Sequence, residues 1–558
     1  MRRYRSEYEI QPKDQLCFMH MAKTGGTTLT AILDSKFDLA EICPEQLWPT
    51  LLKLSPKELA NYRLLRGHFF YRIHKLLPRP PVFLTLFRNP IDRIVSTYYF
   101  CRGGSPEHLN PEADATTFYK AKSLTLGEFV RHPSLYDCEN AQTYQFIAQK
   151  DIHTAPLNHR SLEEAKAYLN QFAFVGITER FDEALQLLSF TFGWNPLKEH
   201  QPLMVSPTRT RRSSLSPDII EVIRERNQFD FALYDYATAL FELRYQQMRE
   251  TLQQRYKGTV YEQLEQHYQQ RQRQRQLAAR SQILFTFDQA RSGAGWQLRE
   301  LLKDDVCFCW TGPNTVSTLD LPLTSDRPLV LDCALINAIT PDVFTSIQLC
   351  VNNHLVPLTV LAEPSGTVLR GQLLPSVLTS DRNFVRLAFQ VDRTLSPQSL
   401  DPTNPDHRLL GLAFRWIKIY APITVEFPEH DLAWVEVAEF VQQHLRDRDE
   451  MLAPAKFAAR FPAQVLPYPT PTQKITLPAW VIVHKGQMHQ LGRHRLQQIR
   501  SQFTPVFSNA VFVVFAAPDR KLNVQAETEH VTSFDNQLEQ LQQPTWLKAV
   551  RRLVRKST

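Results

Sequence analysis

Across roughly the first 245 residues, short apolar runs bounded by glycine, proline and polar turns alternate with stretches of helical period. Leu16–Met21, Val82–Phe87 and Phe172–Ile177 are nearly continuous in apolar residues, as interior parallel strands require. Thr28–Phe37, Leu162–Gln171 and Phe181–Phe192 instead read as helices. Strands alternating with helices predict βαβ units and an α/β domain over residues 1–245, its parallel sheet binding ligands at the strands' carboxyl ends. After Tyr245 the pattern changes. Glutamine and arginine dominate as far as Arg280, as in Tyr268-Gln-Gln-Arg-Gln-Arg-Gln-Arg-Gln276, which predicts a polar helical linker over 246–280 with solvated arginines.

Beyond it, Ile283–Phe287, Leu329–Leu335, Ser346–Val351, Phe384–Val391 and Leu412–Tyr420 are strand-like and separated by Pro, Asp, Ser and Asn turns. Their spacing predicts an antiparallel β-sandwich over 281–425. Trp296, Trp310 and Trp416 fall in this region, as core residues or as a sugar-binding face. From 426 to 558 the order is helix (Val435–Arg448), strand (Ala479–His484), helix (Leu491–Gln502) and strand (Ala510–Ala516), a small α/β unit. The basic amphipathic end, Trp546 to Thr558, reads as a peripheral membrane contact or as a terminal helix docked on its own domain.

Composition narrows the field only slightly. A chain of 558 residues exceeds one core, and its net charge of +7 suits anionic ligands without pointing to nucleic acid. The eight cysteines lack any metal-ligand spacing, and no metal is expected. Neither a signal-peptide pattern nor an apolar run long enough to span a membrane is evident, so reduced thiols and a cytoplasmic location are expected.

The candidate chemistry lies in Phe18-Met-His-Met-Ala-Lys-Thr-Gly-Gly-Thr-Thr-Leu29, a strand, a glycine turn and a helix start. Gly25 and Gly26 permit a sharp turn and close approach to a ligand. Free N–H groups of the following helix, with Lys23 and the hydroxyls of Thr24, Thr27 and Thr28, form an oxyanion cradle. The nucleotide-hydrolase loop G-x-x-x-x-G-K-[ST] has its lysine after the second glycine. Here Lys23 precedes both glycines, and that motif fails. A second apolar strand ends at Arg88, followed by a helix opened at Pro90 and carrying Ser96. An arginine and a serine so placed can hold a second, separate phosphate.

These two segments resemble the 5′-phosphosulfate loop and the 3′-phosphate motif of sulfotransferases that use 3′-phosphoadenosine-5′-phosphosulfate (PAPS). The similar branch is that of heparan sulfate 2-O- and 6-O-sulfotransferases and their bacterial relatives. Leu65-Arg-Gly-His-Phe-Phe70, Ser96-Thr-Tyr-Tyr-Phe100, Phe174-Val-Gly-Ile-Thr-Glu-Arg-Phe181 and Pro207-Thr-Arg-Thr-Arg211 extend the resemblance over residues 14–245. It implies a P-loop-like domain that transfers a sulfuryl group from PAPS to a saccharide hydroxyl by in-line displacement. Lys23 is placed to stabilise charge on the leaving phosphate. His68, which follows Gly67, is the candidate base, histidine being the side-chain type that ordinarily titrates near neutrality. The family's second histidine of a His-Gly-His motif falls on it, and Arg66 replaces the first. Arg88 and Ser96 would hold the 3′-phosphate, and the resemblance adds Thr208, Arg209 and Thr210 as nucleotide contacts. His74 and Lys75 read as acceptor-pocket or surface residues. A nucleotide- or glycan-binding scaffold with an inactive transferase domain, and a P-loop kinase, are the alternatives. Neither the acceptor nor the oligomeric state follows from the sequence.

Overall fold

In the computed structural model the described residues are 4–104, 116–133, 135, 138–147, 156–197, 212–275, 277–303, 306–363, 366–422, 425–469, 475–520, 522–525 and 528–541. The first sheet consists of β1 (Leu16–Met19), β2 (Leu64–Gly67), β3 (Val82–Phe87) and β4 (Phe174–Ile177). Its order is β2-β1-β3-β4 and every pairing is parallel. All of its residues are buried, as a sheet covered on both faces demands. The helices Gly26–Asp34, Pro90–Gly103, Phe181–Phe192 and Gln228–Arg255 belong to the same region. The first begins two residues before the expected Thr28, because Gly25, at φ +78°, serves as its N-cap.

Strand β2 breaks the apolar pattern with Arg66 at its third position. Arg66 is only 8% exposed. Asp34 accepts from its Nε at 2.8 Å and its Nη2 at 3.3 Å, and the Cys43 carbonyl accepts from Nη1 at 2.6 Å. A buried cation is tolerable when it is paired in this way.

The Gln/Arg-rich stretch is helical, and part of it is interior. Gln228–Arg255 and Val260–Gln274 are separated by a turn with Gly258 at φ +99°. Gln263, Leu264, His267, Tyr268, Arg271 and Gln272 are buried. Arg271, expected in solvent, donates to the Tyr8 carbonyl at 3.0 Å and meets Glu7 at 3.5 Å, whereas Arg273 is exposed.

In the next unit every pairing between strands is antiparallel, with one isolated parallel bridge from Arg280 to Leu323. One sheet joins β8 (Val316–Leu321), β10 (Gln348–Val351), β11 (His354–Val356) and β14 (Val385–Gln390) in the order β11-β10-β14-β8. The other has the order β12-β13-β9-β15-β7-β6, with β5 also pairing β15. Its strands are β5 (Ile283–Thr286), β6 (Trp296–Leu301), β7 (Cys307–Thr311), β9 (Leu329–Ala338), β12 (Leu358–Glu363), β13 (Gly366–Leu373) and β15 (Leu412–Tyr420). Leu319, Leu349, Leu387 and Phe389 of one sheet share a core with Leu331, Leu369, Phe414 and Ile417 of the other. Trp296 packs on Phe287, Phe389 and Phe414 of that core. Trp416 lies instead with Ala334 and Val368 in a separate cluster. These two tryptophans therefore form no common sugar platform.

The last unit pairs Met451–Ala453 with Val465–Pro467 and Trp480–His484 in parallel, then continues antiparallel through Phe512–Ala516 and Thr504–Ser508. Helices Leu432–His444, Arg493–Gln502 and Glu529–Gln540 accompany it. Its basic end, residues 542–558, lies outside the described residues.

Residues 35–39 are stitched to the two-sheet unit. Arg291 N–H donates to the Ser35 carbonyl at 2.8 Å, Leu39 N–H to the Asp288 carbonyl at 2.7 Å, and Ala290 N–H to Asp38 Oδ1 at 2.7 Å. The eight cysteines are free thiols, seven of them buried. Among the described residues no helix is long and apolar enough to cross a membrane, and no cluster of His, Cys, Asp and Glu could hold a metal ion.

Candidate active site

Each strand of the first sheet delivers a site residue just past its carboxyl end: His20 and Lys23 after β1, His68 after β2, Arg88 after β3 and Thr178 after β4. Three of these five were singled out from the sequence. His20 and Thr178 were not.

The loop after β1 is held in an uncommon backbone conformation, with Lys23 at φ +67° and Gly25 at φ +78°. For a lysine the left-handed region costs of order 1–3 kcal/mol and persists only where its surroundings impose it. Arg88 Nη1 donates to the Lys23 carbonyl at 2.8 Å. Thr178 Oγ1 is within 2.5 Å of the Thr24 carbonyl and 2.9 Å of the Phe87 carbonyl, tying the loop to the end of β3. The Lys23 ammonium rests 3.7 Å from the centre of the Phe100 ring, one turn along the helix from Ser96. The loop is thus fastened to the two elements expected to hold a second phosphate.

No side chain caps the helix that opens at Gly26. Its first-turn N–H groups lack intrahelical partners by geometry, so this cradle fits a bound oxyanion. The hydroxyls contribute less than expected. Thr24 is fully buried and its hydroxyl donates to the Met21 carbonyl at 2.9 Å, closing the turn. Thr28 is buried and lines a cavity shared with Arg291 and Trp296. Thr27 is exposed.

His68 Nδ1 lies 2.9 Å from the His20 carbonyl oxygen. A carbonyl can only accept, so Nδ1 carries the proton, and the neutral ring has its lone pair on Nε2. The two imidazole rings are 4.6 Å apart. The His20 ring also covers the loop: a Cβ on Gly26 would come within 2.0 Å of it. Burial, then the neighbouring His68 and Lys23, hold His20 well below the ordinary histidine range, which keeps it neutral. On the side where a side chain would stand, Gly67 faces backbone. A Cβ there would meet the Gln46 carbonyl at 2.2 Å, and that same carbonyl accepts from His68 N–H at 2.7 Å.

Arg88 is aligned from behind. Its peptide N–H donates to Gln142 Oε1 at 3.1 Å, and Gln142 Nε2 donates to its carbonyl at 3.0 Å. Gln142 and Thr143 both donate to the buried Asp230. Ser96 is half-buried in the second turn of Pro90–Gly103, a helix capped by Asn89 Oδ1. His74 Nδ1 bonds the Tyr71 carbonyl at 2.7 Å. Thr208, Arg209 and Thr210 lie outside the described residues.

The Gln142–Asp230 brace left no motif in the sequence. The signal for His20 was its position in the loop segment, three residues before Lys23, although nothing in the apolar pattern marks it.

Residues 6–237 match the model of the sulfotransferase family. Curated relatives include heparan-sulfate 6-O-sulfotransferase 1-B of Danio rerio, 28% identical over 288 residues that make up 43% of this chain and 69% of that protein. Heparan-sulfate 6-O-sulfotransferase 1 of Homo sapiens is 27% identical over 292 residues, 44% of this chain and 69% of that protein. Heparan-sulfate 6-O-sulfotransferase 2 of Gallus gallus is 24% identical over 305 residues, 44% and 71% respectively.

Proposed function

We propose, taking residues 6–237 as a domain of the sulfotransferase family, that this protein transfers a sulfuryl group from PAPS to a hydroxyl of a saccharide. The observation that carries the reading is the convergence of Lys23, His68 and Arg88 past three adjacent parallel strands, with the tautomer of His68 set by the His20 carbonyl. Bound PAPS would supply the sulfuryl group, an oxygen–sulfur bond forming to the acceptor as the sulfur–oxygen bond to the nucleotide phosphate breaks.

The residues divide the work. The uncapped first turn after Gly25 and the Lys23 ammonium would hold the 5′-phosphosulfate, and Lys23 would neutralise charge on the departing phosphate oxygen. Reaching it requires the ammonium to leave the Phe100 ring. Arg88 and Ser96 would hold the 3′-phosphate, with Gln142 keeping Arg88 in place. His68 Nε2 would take the proton of the acceptor hydroxyl, in-line displacement leaving little else for the protein than positioning and electrostatics. A second assignment of the base, His20, is favoured by one observation. Its ring lies against the loop at Gly26 and is held neutral.

The test is calorimetric titration with 3′-phosphoadenosine-5′-phosphate beside adenosine diphosphate. Micromolar binding of the first, weaker binding of the second and loss on Arg88→Ala support the donor site. Preference for magnesium–ATP would favour a kinase. Nucleotide binding without sulfuryl transfer to any saccharide would favour a binding scaffold. Transfer assays on His68→Ala and His20→Ala then assign the base. The base variant should lose roughly 10²–10⁴ in kcat while still binding nucleotide.

A further inference from the structure

The helix Gly26–Asp34 and the two-sheet unit enclose a cavity of about 110 Å³ between them, lined by Thr28, Ser35, Lys36, Arg291, Trp296 and Gln297 among others. It has an excess of positive charge. Arg291 is only 6% exposed, yet its guanidinium has no carboxylate partner among the described residues. It meets the Cys309 sulfur at 3.3 Å, an ordinary N–H···S distance, the Gln297 carbonyl at 3.4 Å, a long one, and the Phe287 ring at 5.9 Å, all of them uncharged. Lys36 makes no ion pair among the described residues. Arg275 adds its field at Lys36, and Arg299 adds its own at Arg291.

The acids nearby are already engaged. Asp320 acts on Lys36, but its carboxylate is gripped by Arg386 at 2.7 Å through both oxygens and accepts the Tyr268 hydroxyl at 2.9 Å. Asp34 is held by Arg66. Burial, then Arg291, pushes the Lys36 ammonium down to about 8. Lys36 is half-buried and Arg291 buried. Cations brought together partly out of water, with the nearby acids shared with other partners, are costly, and an anion in the cavity would reduce that cost.

Past Ala294, Gly295 and Pro313, which border both spaces, the cavity adjoins a wider groove edged by Asn195, Tyr261, Gln266, Asn314 and Thr315. Its two glutamates are occupied, Glu265 by Arg386 at 2.8 Å and Glu262 by the Thr259 cap. Amide and hydroxyl groups therefore line the approach to a cationic end.

We propose that this seam is a second ligand site, separate from the donor loop, in which Lys36 and Arg291 bind an oxyanion group, carboxylate or sulfate, of an acidic saccharide lying in the groove. Only the choice of a saccharide rests on the transferase reading. The anion pocket follows from the charges alone, and free sulfate or phosphate has the same chemistry.

The experiment uses the full chain and amine acylation read by mass spectrometry at Lys36, with calorimetry in parallel. The probes are inorganic sulfate, inorganic phosphate and a uronic-acid disaccharide. The expected result is that the disaccharide protects Lys36 at lower concentration than either free ion. Arg88→Ala should bind it as the unaltered protein does, Lys36→Gln should weaken binding by about tenfold or more, the scale of one lost charge-assisted contact, and Lys36→Arg should restore it. Equal Lys36 reactivity with and without saturating probe overturns the proposal, and this arm needs no variant to fold. Binding lost in Arg88→Ala but kept in Lys36→Gln would place the anion in the donor loop and also overturn it. Protection by free ions and not by the disaccharide overturns the saccharide assignment. Failure of the transferase reading would appear separately, as absent nucleotide binding with Lys36 protection intact.

Discussion

Gly26 lies against the His20 ring and Gly67 immediately precedes His68, and the structure gives them different reasons for lacking a side chain. At Gly26 an added Cβ collides with the His20 ring, at Gly67 with the Gln46 carbonyl. A ring at the site can be displaced while the fold persists, whereas the Gln46 backbone is fixed by its bond to His68. Gly26→Ala should therefore give a folded protein that has lost most nucleotide binding and transfer. Gly67→Ala should lower stability by roughly 1–3 kcal/mol, the usual cost of overpacking. Thermal melts and calorimetry on the two variants check the contrast. A further residue-scale expectation concerns pH. Burial pushes the interior His267 down to about 4, with Glu7 acting the other way and its ring bonded to the Phe190 carbonyl. An unfolded histidine titrates near 6.5, so the unfolded chain takes up the proton first. This contribution to stability is complete above about 6.5 and is lost as pH falls through about 4, by of order 3 kcal/mol. His20 acts in the same direction. Urea midpoints measured across that window should decline, and the slope should flatten in His267→Gln.

At the scale of elements, the site is held by braces between segments far apart in the chain. Asp230 of the helix Gln228–Arg255 accepts from Gln142 N–H at 3.1 Å and from Thr143 N–H and Oγ1 at 2.8 Å each. Gln142 in turn aligns the peptide of Arg88. Asp230→Ala leaves buried donors unpaired and should cost roughly 2–4 kcal/mol, while weakening 3′-phosphoadenosine-5′-phosphate more than adenosine diphosphate. Thr178→Val removes the hydroxyl that joins the loop to β3. It should raise the nucleotide Kd by about 3–10-fold, the range of one or two ordinary hydrogen bonds, with a smaller change in Tm than Asp230→Ala. A calorimetric series over the two variants distinguishes loop positioning from general stability.

For the molecule as a whole, the transferase-like domain and the two-sheet unit share a buried polar junction. Tyr268 of the connecting helix Val260–Gln274 and Arg386 of the two-sheet unit meet on Asp320, and Arg386 also donates to Oδ1 of Asn195 in the transferase-like domain at 3.2 Å. Removing the acid from such a junction leaves an uncompensated charge, and breaking a buried pair costs about 3–5 kcal/mol. Asp320→Ala should lower the Tm and expose the segment near residues 275–283 to proteolysis, whereas an exposed pair such as Arg160–Glu164 should be nearly silent when broken. Differential scanning calorimetry with limited proteolysis tests both.

Elements whose signal is local were legible in the amino-acid order. Val82–Phe87, Phe181–Phe192 and Leu412–Tyr420 occupy the residues expected, because a continuous apolar run or a clean helical period leaves few alternatives. The loop holding Lys23, Gly25 and Gly26 was legible for the same reason. What escaped the sequence were the places where a polar residue is interior. Strand β2 carries Arg66 and the helix after Gly258 buries Arg271, while His20, over Gly26, and Lys36, in the cavity it shares with Arg291, are half-buried. In each case a local pattern assigns the polar group to solvent. Its burial depends on partners or neighbours that only the tertiary structure brings near: Asp34 for Arg66, Glu7 and Tyr8 for Arg271, the turn of the loop for His20, and the docked two-sheet unit for Lys36. Apolar periodicity along a segment is written into its own residues, while the compensation of a buried charge is decided by what the rest of the chain places beside it.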